Sequence, residues 1–163
     1  MRQRLKQSYK VYGAQLLAVC RRYSPDINTA EDMLHDGFIA AFKAADSFRG
    51  STEGELYAWL RRIMVNTCLM RIRKKDLLGE ANPIDATFDL AQAPAFDGIP
   101  ERVLLNMISS LPVGERSVLN LYAFEEMSHK QIADLLGITE RASINKLHRA
   151  RVMLAKKIKE YGE

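Results

Sequence analysis

The stretch from Ser128 to Lys159, SHKQIADLLGITERASINKLHRARVMLAKKIK, constrains the fold more than any other. It predicts a short helix, a glycine turn and a long basic helix. Ser128 can cap the first helix, and Gln131 three residues later completes a capping-box spacing. Ile132, Leu135 and Leu136 recur at helical intervals, and Ala133 is small where a second helix could cross closely. Gly137 stands just past the last periodic residue, where a helix end favours positive φ and glycine adopts it without strain. Ile138 would plug between the helices, and Thr139 can cap the next one. From there Arg141, Lys146, Arg149, Arg151, Lys156, Lys157 and Lys159 follow with no acidic residue among them. A glycine turn between two helices, the second cationic, predicts a helix-turn-helix whose second helix suits the DNA major groove. The plainer alternative is a helical hairpin with a solvated basic face. Turn, caps and one-sided charge all agree on the DNA reader.

Composition sets the surroundings of that element. The 163 residues suit one domain or two small ones, and a hydrophobic fraction of 47% is enough for a core. No apolar run approaches the roughly 18 residues needed to span a bilayer. The basic N-terminus, MRQRLKQSYKVY, lacks an apolar signal core and a cleavage site, so no export and no membrane insertion are expected. Cys20 and Cys68 fall within helical patterns and read as reduced, buried thiols of a cytoplasmic protein. The net charge of +4 and a pI near 9.1 favour a polyanionic partner. The 3 histidines, His35, His129 and His148, show no metal-ligand spacing, and glycine loops that cradle phosphate are absent. The chain reads as a non-enzyme without a cofactor or metal.

Along the chain, Leu16, Leu17, Val19, Cys20 and Tyr23 predict a helix from Tyr12 that Ser24-Pro25-Asp26 breaks. Thr29 followed by Asp32 imitates a capping box and predicts a helix through about Lys43. Met33, Leu34, Phe38, Ala41 and Phe42 make its apolar face, and Glu31, Asp32, His35 and Asp36 emerge opposite as an acidic patch. Acidic side chains also simply complement a helix N-terminus. The segment from Asp46 to Thr52 is loop chemistry. A third helix is expected from about Glu53 to Lys75, with Leu56, Leu60, Ile63, Met64 and Thr67 inside and Trp59 beside them. Its second half turns basic through Arg61, Arg62, Arg71, Arg73, Lys74 and Lys75. Cations interleaved with stacking groups suit an unpaired nucleic-acid strand, although Trp59 at this spacing also fits a core. From Asp76 to Pro100 the chain becomes acidic and proline-bearing, which predicts a flexible linker. Beyond it, Val103, Leu104, Met107, Ile108 and Leu111 predict a helix that starts at Pro100-Glu101 and ends at Pro112. Another is expected over Glu115–Phe124, before the helix-turn-helix.

The fold class expected is therefore all-α, with two small helical domains, 1–75 and 101–163, joined by an acidic linker, 76–100. Laid out in this order, the chain resembles bacterial sigma factors of the extracytoplasmic-function (ECF) group. The likeness to sigma region 2 rests on AEDMLHDGFIAAFKA (Ala30 to Ala44), on FRG at Phe48 to Gly50, and on WLRRIMVNTCLMRIRKK (Trp59 to Lys75). That to sigma region 4 rests on LPVGERSVLNLY (Leu111 to Tyr122) and on Ser128 to Arg151.

The resemblance implies roles residue by residue. Glu31, Asp32, His35 and Asp36 match the surface by which such factors grip core RNA polymerase. Ser47, Phe48 and Arg49 of the loop, with Arg61, Arg62 and Asn66, match the part that captures the melted −10 element. The second helix of the turn matches the reader of the −35 element. Arg141, Ala142, Ser143, Asn145 and Lys146 would face base edges or nearby phosphates, Arg149 and Arg151 would hold phosphates, and Ser128, Lys130 and Thr139 would border the same DNA. Many family members carry a basic residue in place of Ile144 and a glycine in place of Arg141, so promoter preference does not transfer from relatives. The resemblance also implies an anti-sigma factor as partner, promoter DNA as ligand, and a cytoplasmic bacterial monomer. The competing reading is an autonomous helix-turn-helix regulator that binds duplex DNA as a dimer. It would leave the second basic surface, on the third helix, without a purpose.

Overall fold

The computed structural model describes residues 1–72 and 98–162. The chain divides into two units, Met1–Arg71 and Ile72–Glu163. The described residues are helical, with short turns and no strand.

The first unit is a three-helix assembly of α1 (Arg2–Arg21), α2 (Ile27–Lys43) and α3 (Glu53–Arg71). Each helix packs on the other two. Leu5, Leu16, Val19 and Cys20 from α1 meet Met33, Leu34, Phe38 and Ala41 from α2 and Leu56, Leu60, Met64 and Cys68 from α3, all buried. α1 starts ten residues before Tyr12, at Arg2, because Leu5 supplies an apolar anchor that the charged N-terminal run hides. The cap of α2 is Asp26, not Thr29: the Asp26 carboxylate accepts from the Asn28 amide at 3.2 Å and from the Thr29 hydroxyl at 2.8 Å. Thr29 therefore serves the cap from inside the first turn. Cys20 and Cys68 are buried free thiols, and Cys68 hydrogen-bonds to Cys20 in a setting whose burial further pushes its own thiol up. A short 3-10 turn, Ala45–Ser47, leads into the loop before α3. The residues Arg73, Lys74 and Lys75 and the acidic stretch to Asp97 lie outside the described residues.

The second unit contains α4 (Glu101–Ser109), α5 (Val113–Leu119), α6 (His129–Leu136) and α7 (Glu140–Gly162). Pro100 and Pro112 directly precede α4 and α5, where a missing N–H costs nothing. The expected helix over Glu115–Phe124 begins two residues earlier and widens into a π turn at Asn120–Phe124. Helix α7 runs against α4, α5 and α6. Its Leu147, Ala150, Leu154 and Ile158 are buried in a core shared with Ile108, Leu111, Val118, Leu121, Ile132 and Leu136.

The turn between α6 and α7 follows its sequence closely. The Ser128 hydroxyl accepts from the Gln131 amide at 3.2 Å, and the Gln131 side chain accepts from the Ser128 amide at 2.9 Å. Gly137 takes φ 68°, ψ 34°, and Thr139 caps α7 by accepting from the Ala142 amide at 3.0 Å. A Cβ in the left-handed region costs about 1–2 kcal/mol. Gly137→Ala is accordingly expected to lower the stability of this unit by about that amount, read as a shift in urea midpoint with unchanged slope.

Candidate functional site

Three surfaces carry the residues singled out by the sequence. On the first unit, Glu31, Asp32 and His35 are exposed on α2, and Asp36 is half-buried beside them. The spacing from 31 to 36 places them along one side of the helix, opposite buried Met33, Leu34 and Phe38. Asp36 accepts from the Arg71 guanidinium at the end of α3, which raises the arginine's pKa. The His35 imidazole lies 3.3 Å from the Tyr9 hydroxyl of α1 and stacks on its ring. Tyr9 in turn meets Phe38 edge-on at 5.0 Å. A shallow groove of 530 Å³ runs alongside, lined by Leu17, Leu34, His35 and Glu31 among others. The acidic face thus borders an apolar cleft between α1 and α2, and Tyr9 is the member of it that sequence spacing does not reveal.

The second surface is the loop before α3 with the outer side of that helix. Phe48 is half-buried, tilted against Trp59 at 5.3 Å between ring centres, with the Arg4 guanidinium 6.0 Å from its own. Gly50 is required here, since a Cβ on it would come within 2.6 Å of the Phe48 ring and 2.8 Å of Glu55. Ser47 donates to the Ala44 carbonyl and Arg49 to the Asp46 carbonyl, each at 2.6 Å. The loop residues therefore hold a set shape, with Phe48 and Trp59 as its pin. Arg62 and Asn66 are exposed one turn apart on α3, and Met70, 86% exposed, continues their line. Arg61 is half-buried.

The start of α3 is locked electrostatically. Glu55 accepts from the Ser51 and Thr52 amides at 2.7 and 3.0 Å, while Thr52 accepts from the Glu55 amide at 3.1 Å. Those amide bonds hold the Glu55 carboxyl below its ordinary value of 4.5. The Arg4 guanidinium, at 2.9 Å, does the same for Glu53. Depressed folded values mean that the unfolded chain binds more protons. This contribution is present above 4.5 and is lost as pH falls from there through the folded values. The melting temperature of the first unit is expected to fall between about pH 5 and about pH 3, with a shallower slope in Glu55→Gln.

The third surface is the outer side of α7. Arg141, Asn145 and Arg151 are exposed, as are Thr139, Ser128 and Lys130 near the turn. Two expected reader residues depart from this side. Ser143 is fully buried and shares a 2.9 Å hydrogen bond with His129 Nδ1, and Lys146 is only 7% exposed. The reason is register: Ser143, Leu147 and Ala150 follow at i, i+4 and i+7 on the side that packs inward. Arg149 is half-buried and lies 3.9 Å from the buried Glu115 carboxylate, which turns it toward the domain. In their place Ile144 and His148 come to the exposed side, beside Arg141 and Asn145. Marking the buried leucine and alanine positions first would have found both. Behind this face, His129 stacks on Tyr122 at 4.9 Å, and the Arg151 guanidinium lies 5.5 Å over the same Tyr122 ring.

The described residues thus form two helical units, one with a pinned loop before a helix that carries Arg61, Arg62 and Asn66, the other with a helix-turn-helix. Sigma-70 region 2 matches residues 9–77, and Sigma-70 region 4 matches residues 101–154. The RNA polymerase sigma-H factor of Pseudomonas aeruginosa is 28% identical over 89% of this chain and 81% of its own. The ECF RNA polymerase sigma factor SigW of Bacillus subtilis is 27% identical over 92% of this chain and 86% of its own. Among solved structures, the sigma factor RpoE of Bartonella quintana, in complex with the anti-sigma factor NepR, shares the fold. Its TM-score is 0.51 at 23% identity, over 94% of this chain and 96% of that one. The chain belongs to the ECF group of the sigma-70 family. It directs promoter-specific transcription initiation with RNA polymerase, and the dimeric-regulator reading is not favoured.

Proposed function

We propose a division of labour among the three surfaces. The α2 face of Glu31, Asp32, His35 and Asp36 docks core RNA polymerase. The pinned loop with Arg62 and Asn66 holds the melted −10 strand, Arg49 offering donors and Ser47 a hydroxyl acceptor at its edge, with Arg61 and Phe48 supporting it. The outer side of α7 reads the −35 element through Arg141, Asn145 and their neighbours, while Ser128, Thr139, Lys130 and Arg151 border the phosphates. Ser143, Lys146 and Arg149 position that helix from its inner side. The observation that carries this reading is the exposed polar row on α7 set by the capped, glycine-terminated turn before it.

In this reading residues 76–100 join a region 2 domain, 1–75, to a region 4 domain, 101–163. Tethering two weak readers raises the effective concentration of the second once the first is bound. The protein acts as a cytoplasmic monomer and leaves the chemistry of RNA synthesis to polymerase. No group of His, Cys, Asp and Glu able to hold a metal occurs among the described residues, nor a helix long and apolar enough to cross a membrane. An anti-sigma factor, as in the solved RpoE complex, is the expected regulator.

Run-off transcription with purified core polymerase on genomic fragments tests the proposal. Discrete start sites that appear only with the protein support it, and their alignment gives both elements. DNA binding without polymerase binding or transcripts replaces it by the regulator reading.

A further inference from the structure

Helix α7 presents one apolar side chain amid its polar outer row. Ile144 is 48% exposed, one turn from Arg141 and His148 and next to Asn145, all of them exposed. The buried side of the same turns is already filled by Ser143, Leu147 and Ala150, so Ile144 is no part of the core. A solvated β-branched residue gains nothing at this place from helix propensity. Its flanking side chains donate and accept hydrogen bonds, whereas it can do neither.

Within the major groove the base edges are donors and acceptors, and the one apolar group is the C5-methyl of thymine. An aliphatic side chain set against any other base edge strips water from that edge's donors and acceptors without replacing their hydrogen bonds, a cost that contact with the methyl avoids. Resting on the assignment of α7 as the upstream reader, we infer that Ile144 is a specificity-determining residue that selects a thymine in the −35 element by contact with its 5-methyl group. Asn145, adjacent on the helix, has the donor and acceptor pair that suits adenine. Neighbouring A·T pairs are therefore the sequence that this part of α7 fits. Preference for thymine over a pyrimidine without the methyl amounts to about fourfold, the worth of one buried methyl group.

The test uses holoenzyme assembled from core polymerase and the full chain. It selects duplexes with a randomised −35 window, made either with thymine or with deoxyuridine in the window alone. The wild type is expected to enrich thymine at one position about fourfold, and to lose that enrichment in the deoxyuridine library. Ile144→Ala loses it in the thymine library while preferences at other positions persist, and Ile144→Val keeps it. An enrichment that survives deoxyuridine, or survives Ile144→Ala, overturns the inference while leaving the reader assignment standing. No enrichment at any position in either library overturns the assignment itself, and the inference with it. Ile144→Ala that loses anti-sigma binding with base preferences unchanged identifies the residue as a protein contact and also overturns the inference.

Discussion

Replacing Asp32 and Asp36 together by arginine is expected to weaken binding to core RNA polymerase by roughly 100-fold. Both side chains lie on the outer side of α2, away from the Met33, Leu34 and Phe38 core, so helix formation itself does not need them. Reversal turns an attractive contact into a repulsive one, which costs more than deletion. The two positions are not equivalent, however. Asp32 is exposed, whereas Asp36 accepts from Arg71, so Asp36→Arg sets two cations against each other between α2 and α3. A charge swap separates the effects. Asp36→Arg with Arg71→Asp restores the ion pair while keeping the reversed charge on α2. If the swap recovers polymerase affinity, Asp36 acts through its bond to Arg71; if affinity stays low, Asp36 is itself part of the contact. Affinity unchanged in the double reversal would remove this face from the interface.

The second large effect is on stability. Arg116 is 6% exposed and donates through one nitrogen to the Ser109 and Leu111 carbonyls, at 2.7 and 3.2 Å. These carbonyls close α4, where the helix dipole favours a cation. Burial lowers the pKa of Arg116, and two backbone acceptors stabilise the charge in return. Arg116→Ala orphans both carbonyls and opens a void, at a cost of about 3 kcal/mol. That is a large share of what a small helical domain possesses. Amide spectra of the full chain are expected to lose the dispersed resonances of α4 to α7 and keep those of α1 to α3. Arg116→Lys restores a cation without the fork and should recover part of the loss. Dispersion retained in Arg116→Ala would show that α4 does not depend on this residue.

How much of this was legible in the sequence depends on how local the cause was. The turn between α6 and α7 was readable because Ser128, Gln131, Gly137 and Thr139 each act within four residues of their own position. The cap of α2 was misread for a related reason: Thr29 and Asp32 have capping-box spacing, yet Asp26 bonds both Asn28 and Thr29 and starts the helix earlier. The widened turn at Asn120–Phe124 has no sequence signature of that kind. The row proposed to face DNA was read from charge, and charge does not determine the rotation of a helix about its axis. Lys146 and Arg149 share the basic run with Arg141 and Arg151, but packing against α5 and α6 turns the first pair inward. The acidic face of α2 was legible because the apolar residues opposite it mark its inner side. Tyr9 came to it from a different helix, and spacing along α2 carries no information about that.

The hydrogen bond between His129 and Ser143 has a consequence for how such a factor changes its targets. Neither residue heads the outer row of α7, yet their bond, with Tyr122 stacked on the histidine, ties α6 to α7 on the buried side of that row. A substitution in this hidden joint would rotate every reading side chain at once. Promoter preference can therefore drift through residues that never meet a base, while the visible alphabet of the reader stays the same.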